Sequence, residues 1–192
     1  GYIIFYNPSY FIEDPLQIFK IWEGGMSFHG GLIGVIISTY IFSNLKKLNY
    51  KIYFDVICCA APIGIFLGRV ANFINSELYG IPTDKPWGII FPKVDILMRH
   101  PSQLYEAFLE GVVLFIIINF LFLRRNFGYG FVSFIFLVFY SIFRILAEQF
   151  REPDKHIGYI FDFLSMGSIL SIAMIIFGII FISKIKINEK NK

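Results

Sequence analysis

Between residues 163 and 183 the chain carries no charged side chain, and this 21-residue run approaches the roughly 20 apolar residues that an α-helix needs to cross hydrocarbon. Such a run constrains the fold more than any motif, because inside a bilayer the backbone must satisfy its own hydrogen bonds. Composition points the same way. Of 192 residues, 56% are hydrophobic and only 16% charged, and mean hydropathy is +0.65, which excludes a disordered chain and favours a polytopic membrane protein over soluble domains. The formal charge of +3 is too small to argue for a nucleic-acid partner. Cys58 and Cys59 are neighbours inside an apolar run and suggest neither a disulfide framework nor a metal site.

Five spans are predicted, at 27–45, 53–74, 104–123, 129–150 and 160–183, giving an all-α membrane helix bundle. Basic residues set its orientation. Lys46, Lys47, Lys51, Arg124, Arg125, Lys184, Lys186, Lys190 and Lys192 fall on one side, in short segments. Lys20, Lys85, Lys93, Arg99, Arg151 and Lys155 fall on the other, in longer ones. The positive-inside rule then places the C-terminus in the cytoplasm and residue 1 outside. Three regions follow: an outer arm at 1–26 with a short surface helix, a bundle at 27–183 that includes an outer loop at 75–103, and a basic cytoplasmic tail at 184–192. Residue 1 is Gly and no basic region precedes the first apolar stretch, so no signal peptide is read and the chain is expected to be a fragment.

The unusual polar residues gather on the outer side. Arg69 lies near the end of the second span in GRVANFINSELYG, with Asn72 and Asn75 close to its helical face and Glu77 just beyond. The fourth span ends FRILAEQFREPD, which puts Arg144, Glu148 and Arg151 at i, i+4 and i+7. An ionisable residue inside a span is costly, so a structural role must be weighed against function: snorkelling for Arg69, an ion-pair ladder for Glu148. Two arginines at a common depth would repel unless an anion lay between them, and guanidinium forks match phosphate oxygens. His29, in SFHGGLIG at the mouth of the first span, can take and return a proton near neutrality, although a lone histidine there is more often structural. His100, in HPSQLYEAFLEG, is read as a loop residue that steadies the start of the third span, where Glu106 and Glu110 form an unfavourable like-charge pair. P-loop, dinucleotide, zinc and nucleophile-elbow patterns do not occur.

Together, SFHGGLIG, GRVANFINSELYG, HPSQLYEAFLEG and the arginine and glutamate pattern of the fourth span resemble the bacterial prolipoprotein diacylglyceryl transferase family over almost all of residues 1–183. The resemblance implies transfer of an sn-1,2-diacylglyceryl group from phosphatidylglycerol to the lipobox cysteine thiol of a preprolipoprotein signal peptide, releasing glycerol-1-phosphate. It implies an enzyme of the bacterial inner membrane, working near its periplasmic face, with no metal or other cofactor. It also implies that two N-terminal helices precede this chain, one of them carrying an important tyrosine. By motif match the catalytic set is His29, Arg69, Arg144 and Glu148, and the phosphatidylglycerol-binding set is Arg69, Asn72, Glu77, Gly80 and Arg144. The alternatives are a transporter with charges along an ion path and another phospholipid headgroup transferase. Clustering of the charges on one side disfavours the first.

Overall fold

The computed structural model describes residues 28–124, 127–152, 159–160 and 164–185. The expected outer arm and nearly all of the basic tail lie outside the described residues. So does the side chain of His29, whose backbone forms part of the first turn of α1.

Five helices occur among the described residues: α1 (Phe28–Leu45), α2 (Tyr50–Asn75), α3 (Ser102–Arg124), α4 (Phe131–Glu148) and α5 (Met166–Ser183). Of these, α2, α3 and α4 are both long and apolar enough to cross a membrane, while Gly31–Leu45 and Gly167–Ser183 are shorter apolar stretches. The last predicted span starts too early. Tyr159–Ile160 and Leu164–Ser165 pair instead as a small antiparallel hairpin ahead of α5. Apolar content alone does not separate a short strand from the first turn of a helix.

The chain divides into two compact units, Gly1–Tyr53 and Phe54–Lys192. In the first, the Tyr40 and Tyr50 rings meet edge to face at 5.6 Å, as do Phe42 and Tyr53 at 5.7 Å. Most side chains of α1 from Gly31 onward are exposed, and they are largely apolar. Lipid is the solvent that such a surface needs.

In the second unit α4 packs along α5 and against α3. Glycines set the closest approaches: a Cβ at Gly111 would sit 2.7 Å from Phe66 Cβ on α2, and one at Gly178 would sit 2.6 Å from a Val138 methyl. Leu114, Ile118 and Val132 form the buried apolar centre, with Cys59, Phe136 and Phe139 packed around it. One acid braces this half of the bundle. Asp55 of α2 is buried and caps α4 from a neighbouring helix, accepting from Gly130 N at 2.7 Å, Ser133 N at 2.8 Å and Ser133 Oγ at 2.6 Å. Its negative charge sits where the α4 dipole is positive and four N–H groups lack helical partners.

At the opposite end, α2 stops in a Schellman motif. Ser76 adopts the left-handed conformation at φ 62°, its N–H donates to Phe73 O at 3.1 Å, and Glu77 N–H donates to Asn72 O at 2.9 Å. Leu78 is left-handed as well, at φ 51°. The chain is thereby turned into the loop 76–101, where β1 (Ile89–Ile90) and β2 (Met98–Arg99) form a two-residue hairpin.

Candidate active site

The ends of α2, α3 and α4 meet beside this loop, and each brings charge. Helical spacing puts Gln103, Glu106 and Glu110 of α3 on one face, and all three are fully buried. A π-helical segment, Ala107–Val113, interrupts α3 just after Glu106 and contains Glu110; such bulges often mark functional sites.

Arg69 projects from α2 onto both carboxylates, with Nη1 3.1 Å from Glu106 Oε2 and Nη2 3.1 Å from Glu110 Oε2. Arg144 reaches the same pair from α4. Its Nη1 bonds Glu106 Oε1 and lies 3.9 Å from Glu110 Oε1, while its Nη2 lies 2.5 Å from Glu148 Oε2. Arg151, three residues past the end of α4, turns back to put Nη1 3.4 Å from Glu106 Oε1. Three arginines therefore converge on Glu106. The two acids of α3, unfavourable neighbours on an isolated helix, are neutralised by cations from other elements.

The anion between Arg69 and Arg144 is supplied by the protein itself, as the Glu106 carboxylate, so the two guanidinium groups are fixed before any ligand binds. Of the two Arg69 contacts the one to Glu110 is a hydrogen bond, Nη2–H donating to Oε2, and the one to Glu106 is an ion pair. Arg69 and Arg144 keep 15% and 12% of their side chains exposed and Glu148 keeps 13%, whereas Glu106 and Glu110 keep none, so the two acids of α3 are the inaccessible part of the cluster.

The remaining motif residues divide. Glu148 holds Arg144. Asn72 is half-buried one turn beyond Arg69, and its carbonyl closes the cap of α2. The side chain of Glu77, which the motif match puts in the phosphatidylglycerol-binding set, is exposed and makes no ion pair among the described residues. Its contribution is through the backbone, where Glu77 O accepts from Gln103 Nε2 at 2.6 Å.

Gly80 is a crossing point of backbones. A Cβ there would sit 2.3 Å from His100 O and 2.5 Å from Phe150 O, which only glycine avoids. His100 lies in an aromatic nest: its Nδ1 is 3.1 Å from the Tyr105 hydroxyl, which accepts from Trp87 Nε1 at 2.8 Å, and its ring meets Phe150 at 5.1 Å. Cys58 and Cys59 are free thiols half-buried mid-way along α2.

Sequence reasoning passed over Glu106, Glu110 and Arg151 as site residues. Two like charges at i, i+4 on an apolar helix were the available signal for the first two.

A family model described as prolipoprotein diacylglyceryl transferase matches residues 1–184. The chain belongs to this family. It is 54% identical over 186 residues to the phosphatidylglycerol–prolipoprotein diacylglyceryl transferase of Rickettsia bellii (strain OSU 85-389), covering 96% of this chain and 71% of that protein. The protein of the same name from Ehrlichia canis (strain Jake) is 52% identical over 194 residues, covering 99% of this chain and 74% of its own length.

Proposed function

We propose that this chain transfers the sn-1,2-diacylglyceryl group of phosphatidylglycerol to the lipobox cysteine thiol of a prolipoprotein. The observation that carries the reading is the presence of Arg69 and Arg144, on different helices, held at one depth by a shared carboxylate in an otherwise apolar bundle. In the reaction the thiolate sulfur attacks the glyceryl carbon that bears the phosphate. A C–S bond forms, the C–O bond to phosphate breaks, and glycerol-1-phosphate leaves with the electron pair. Negative charge grows on phosphate oxygens in a water-poor site, where pre-fixed guanidinium donors act most strongly.

Arg69 and Arg144 hold that phosphate, Glu148 orients Arg144, and Asn72 orients the glycerol headgroup. Gly80 and Glu77 shape the wall beside it through their backbones. His29 takes the thiol proton, a role chosen for its chemistry: thiols react as thiolates, and imidazole titrates near neutral pH. None of these steps calls on a metal or other cofactor. The bias of basic residues puts the C-terminus in the cytoplasm and this cluster on the periplasmic side of a bacterial inner membrane, where a secreted prolipoprotein presents its lipobox.

The test supplies membranes containing the protein with phosphatidylglycerol labelled in its terminal glycerol and with a lipobox peptide. Labelled glycerol-1-phosphate should appear in step with a thioether-linked diacylglyceryl peptide. A Cys→Ser peptide should yield neither. Release of glycerol phosphate that does not depend on the thiol would point to a different headgroup transferase.

A further inference from the structure

The loop 76–101 carries an ion-pair centre that the reaction scheme leaves unused. Arg99, at the end of β2, is only 7% exposed. Its Nε and Nη2 fork onto Asp95, with Nη2 2.6 Å from Oδ2, and its Nη1 donates to Gly80 O at 3.0 Å and to Glu152 Oε2 at 3.2 Å. The guanidinium also lies 4.8 Å from the centre of the Tyr79 ring. Its bonds to Asp95 raise the Arg99 pKa above the ordinary value.

These contacts join two segments distant in sequence. Tyr79–Gly80–Ile81 runs beside Phe150–Arg151–Glu152: Ile81 N–H donates to Phe150 O, Glu152 N–H donates to Tyr79 O, both at 3.1 Å, and Gly80 bridges Arg151. Arg99 pins the pair from the side, through the Gly80 carbonyl on one strand and the Glu152 carboxylate on the other. Arg151 sits inside the pinned segment just past α4, and its guanidinium reaches Glu106.

We propose that Arg99 is a positioning residue for the transfer reaction: by clamping Gly80 to Glu152 it sets Arg151, and through Arg151 the Glu106 carboxylate that orients Arg69 and Arg144. The inference rests on the reading that those two arginines hold the lipid phosphate. Misplacement of catalytic groups by a fraction of an ångström lowers turnover without removing a contact to substrate. The effect therefore belongs in kcat rather than in KM for phosphatidylglycerol.

The experiment is a double-variant cycle in the full protein with Arg99→Gln, Arg151→Gln and both together. Arg99→Gln should lower kcat about tenfold to a hundredfold with KM unchanged. Arg99→Lys, which keeps the charge but loses the fork, should recover part of it. The double variant should be no slower than Arg151→Gln alone, because both changes break one chain of contacts. Losses that multiply, or a wild-type kcat in Arg99→Gln, would overturn the proposal. Should Arg99→Gln fail to fold, Glu152→Gln enters the same cycle and is judged by the same criterion. Hydrogen exchange without substrate gives a second readout: the Gly80, Ile81 and Glu152 amides should lose protection in Arg99→Gln, and retained protection would contradict the clamp. Wild-type protein that transfers no diacylglyceryl group would sink the functional reading instead, and the exchange result would still judge the clamp.

Discussion

Arg69 of α2 and Arg144 of α4 grip opposite oxygens of a single carboxylate, Oε2 and Oε1 of Glu106. Two like charges drawn from separate helices are thus held side by side inside an apolar bundle. The arrangement is stable only as a set, since each ion left without its partners would keep its desolvation cost and lose the attraction that offsets it.

Glu106→Gln tests that interdependence. The amide keeps the shape but leaves Arg69, Arg144 and Arg151 facing a neutral group, and breaking a buried pair in this way costs about 3–5 kcal/mol. Thermal unfolding in detergent should shift to markedly lower temperature, and transfer activity should fall with it. An unchanged unfolding midpoint would mean that the arginines do not depend on this acid.

Gly80→Ala separates two roles for the glycine. The new methyl would meet the backbone carbonyls of His100 and Phe150, at 2.3 and 2.5 Å, neither of which is the end of a flexible side chain. The variant should lose stability along with activity. An inactive variant with wild-type stability would assign Gly80 to substrate contact.

Asp55→Ala removes the cap that α2 places on α4. Losing a helix cap costs about 1–2 kcal/mol. The measured unfolding midpoint should drop while the folded protein, assayed at low temperature, keeps its turnover, since Asp55 lies at the other end of the bundle from the arginines. A turnover loss as large as that of the arginine variants would show that the capped end controls the site.

The helices were legible because apolar runs and their polar punctuation are local properties. Arg69, Arg144 and Glu148 were legible for a related reason: a charge inside such a run has no cheap structural explanation. Glu106 and Glu110 were harder, because their like-charge spacing looks merely unfavourable until cations from two other helices are brought against them. Arg99 looks like a solvated loop charge in sequence, and Arg151 like the outer rung of a helical ladder with Arg144 and Glu148. Only the pairing of residues 79–81 with 150–152 buries them, and long-range pairing of short segments leaves no periodicity to find. Asp55 shows the converse. It is an acid within a predicted span whose partner, the start of α4, is 75 residues away.

His29→Gln tests the proton acceptor. If the imidazole removes the thiol proton, the variant should be slow at neutral pH and recover as pH rises toward about 8.5, the ordinary thiol value, because thiolate then forms unaided. The sign is fixed: recovery on the alkaline side only. A deficit independent of pH would make the ring a packing or lipid-positioning group.

The central claim is that paired guanidinium forks at Arg69 and Arg144 stabilise a departing lipid phosphate, and the rate of thioether-linked diacylglyceryl peptide formation by Arg69→Lys and Arg144→Lys tests it most directly. Lysine keeps the charge but cannot offer two parallel donors. With membrane insertion and protein level matched to wild type, each variant should form product about a hundredfold more slowly or worse, the scale of losing a pre-fixed donor to developing charge. Near-wild-type product formation by both would contradict the account and leave the arginines as struts of the bundle.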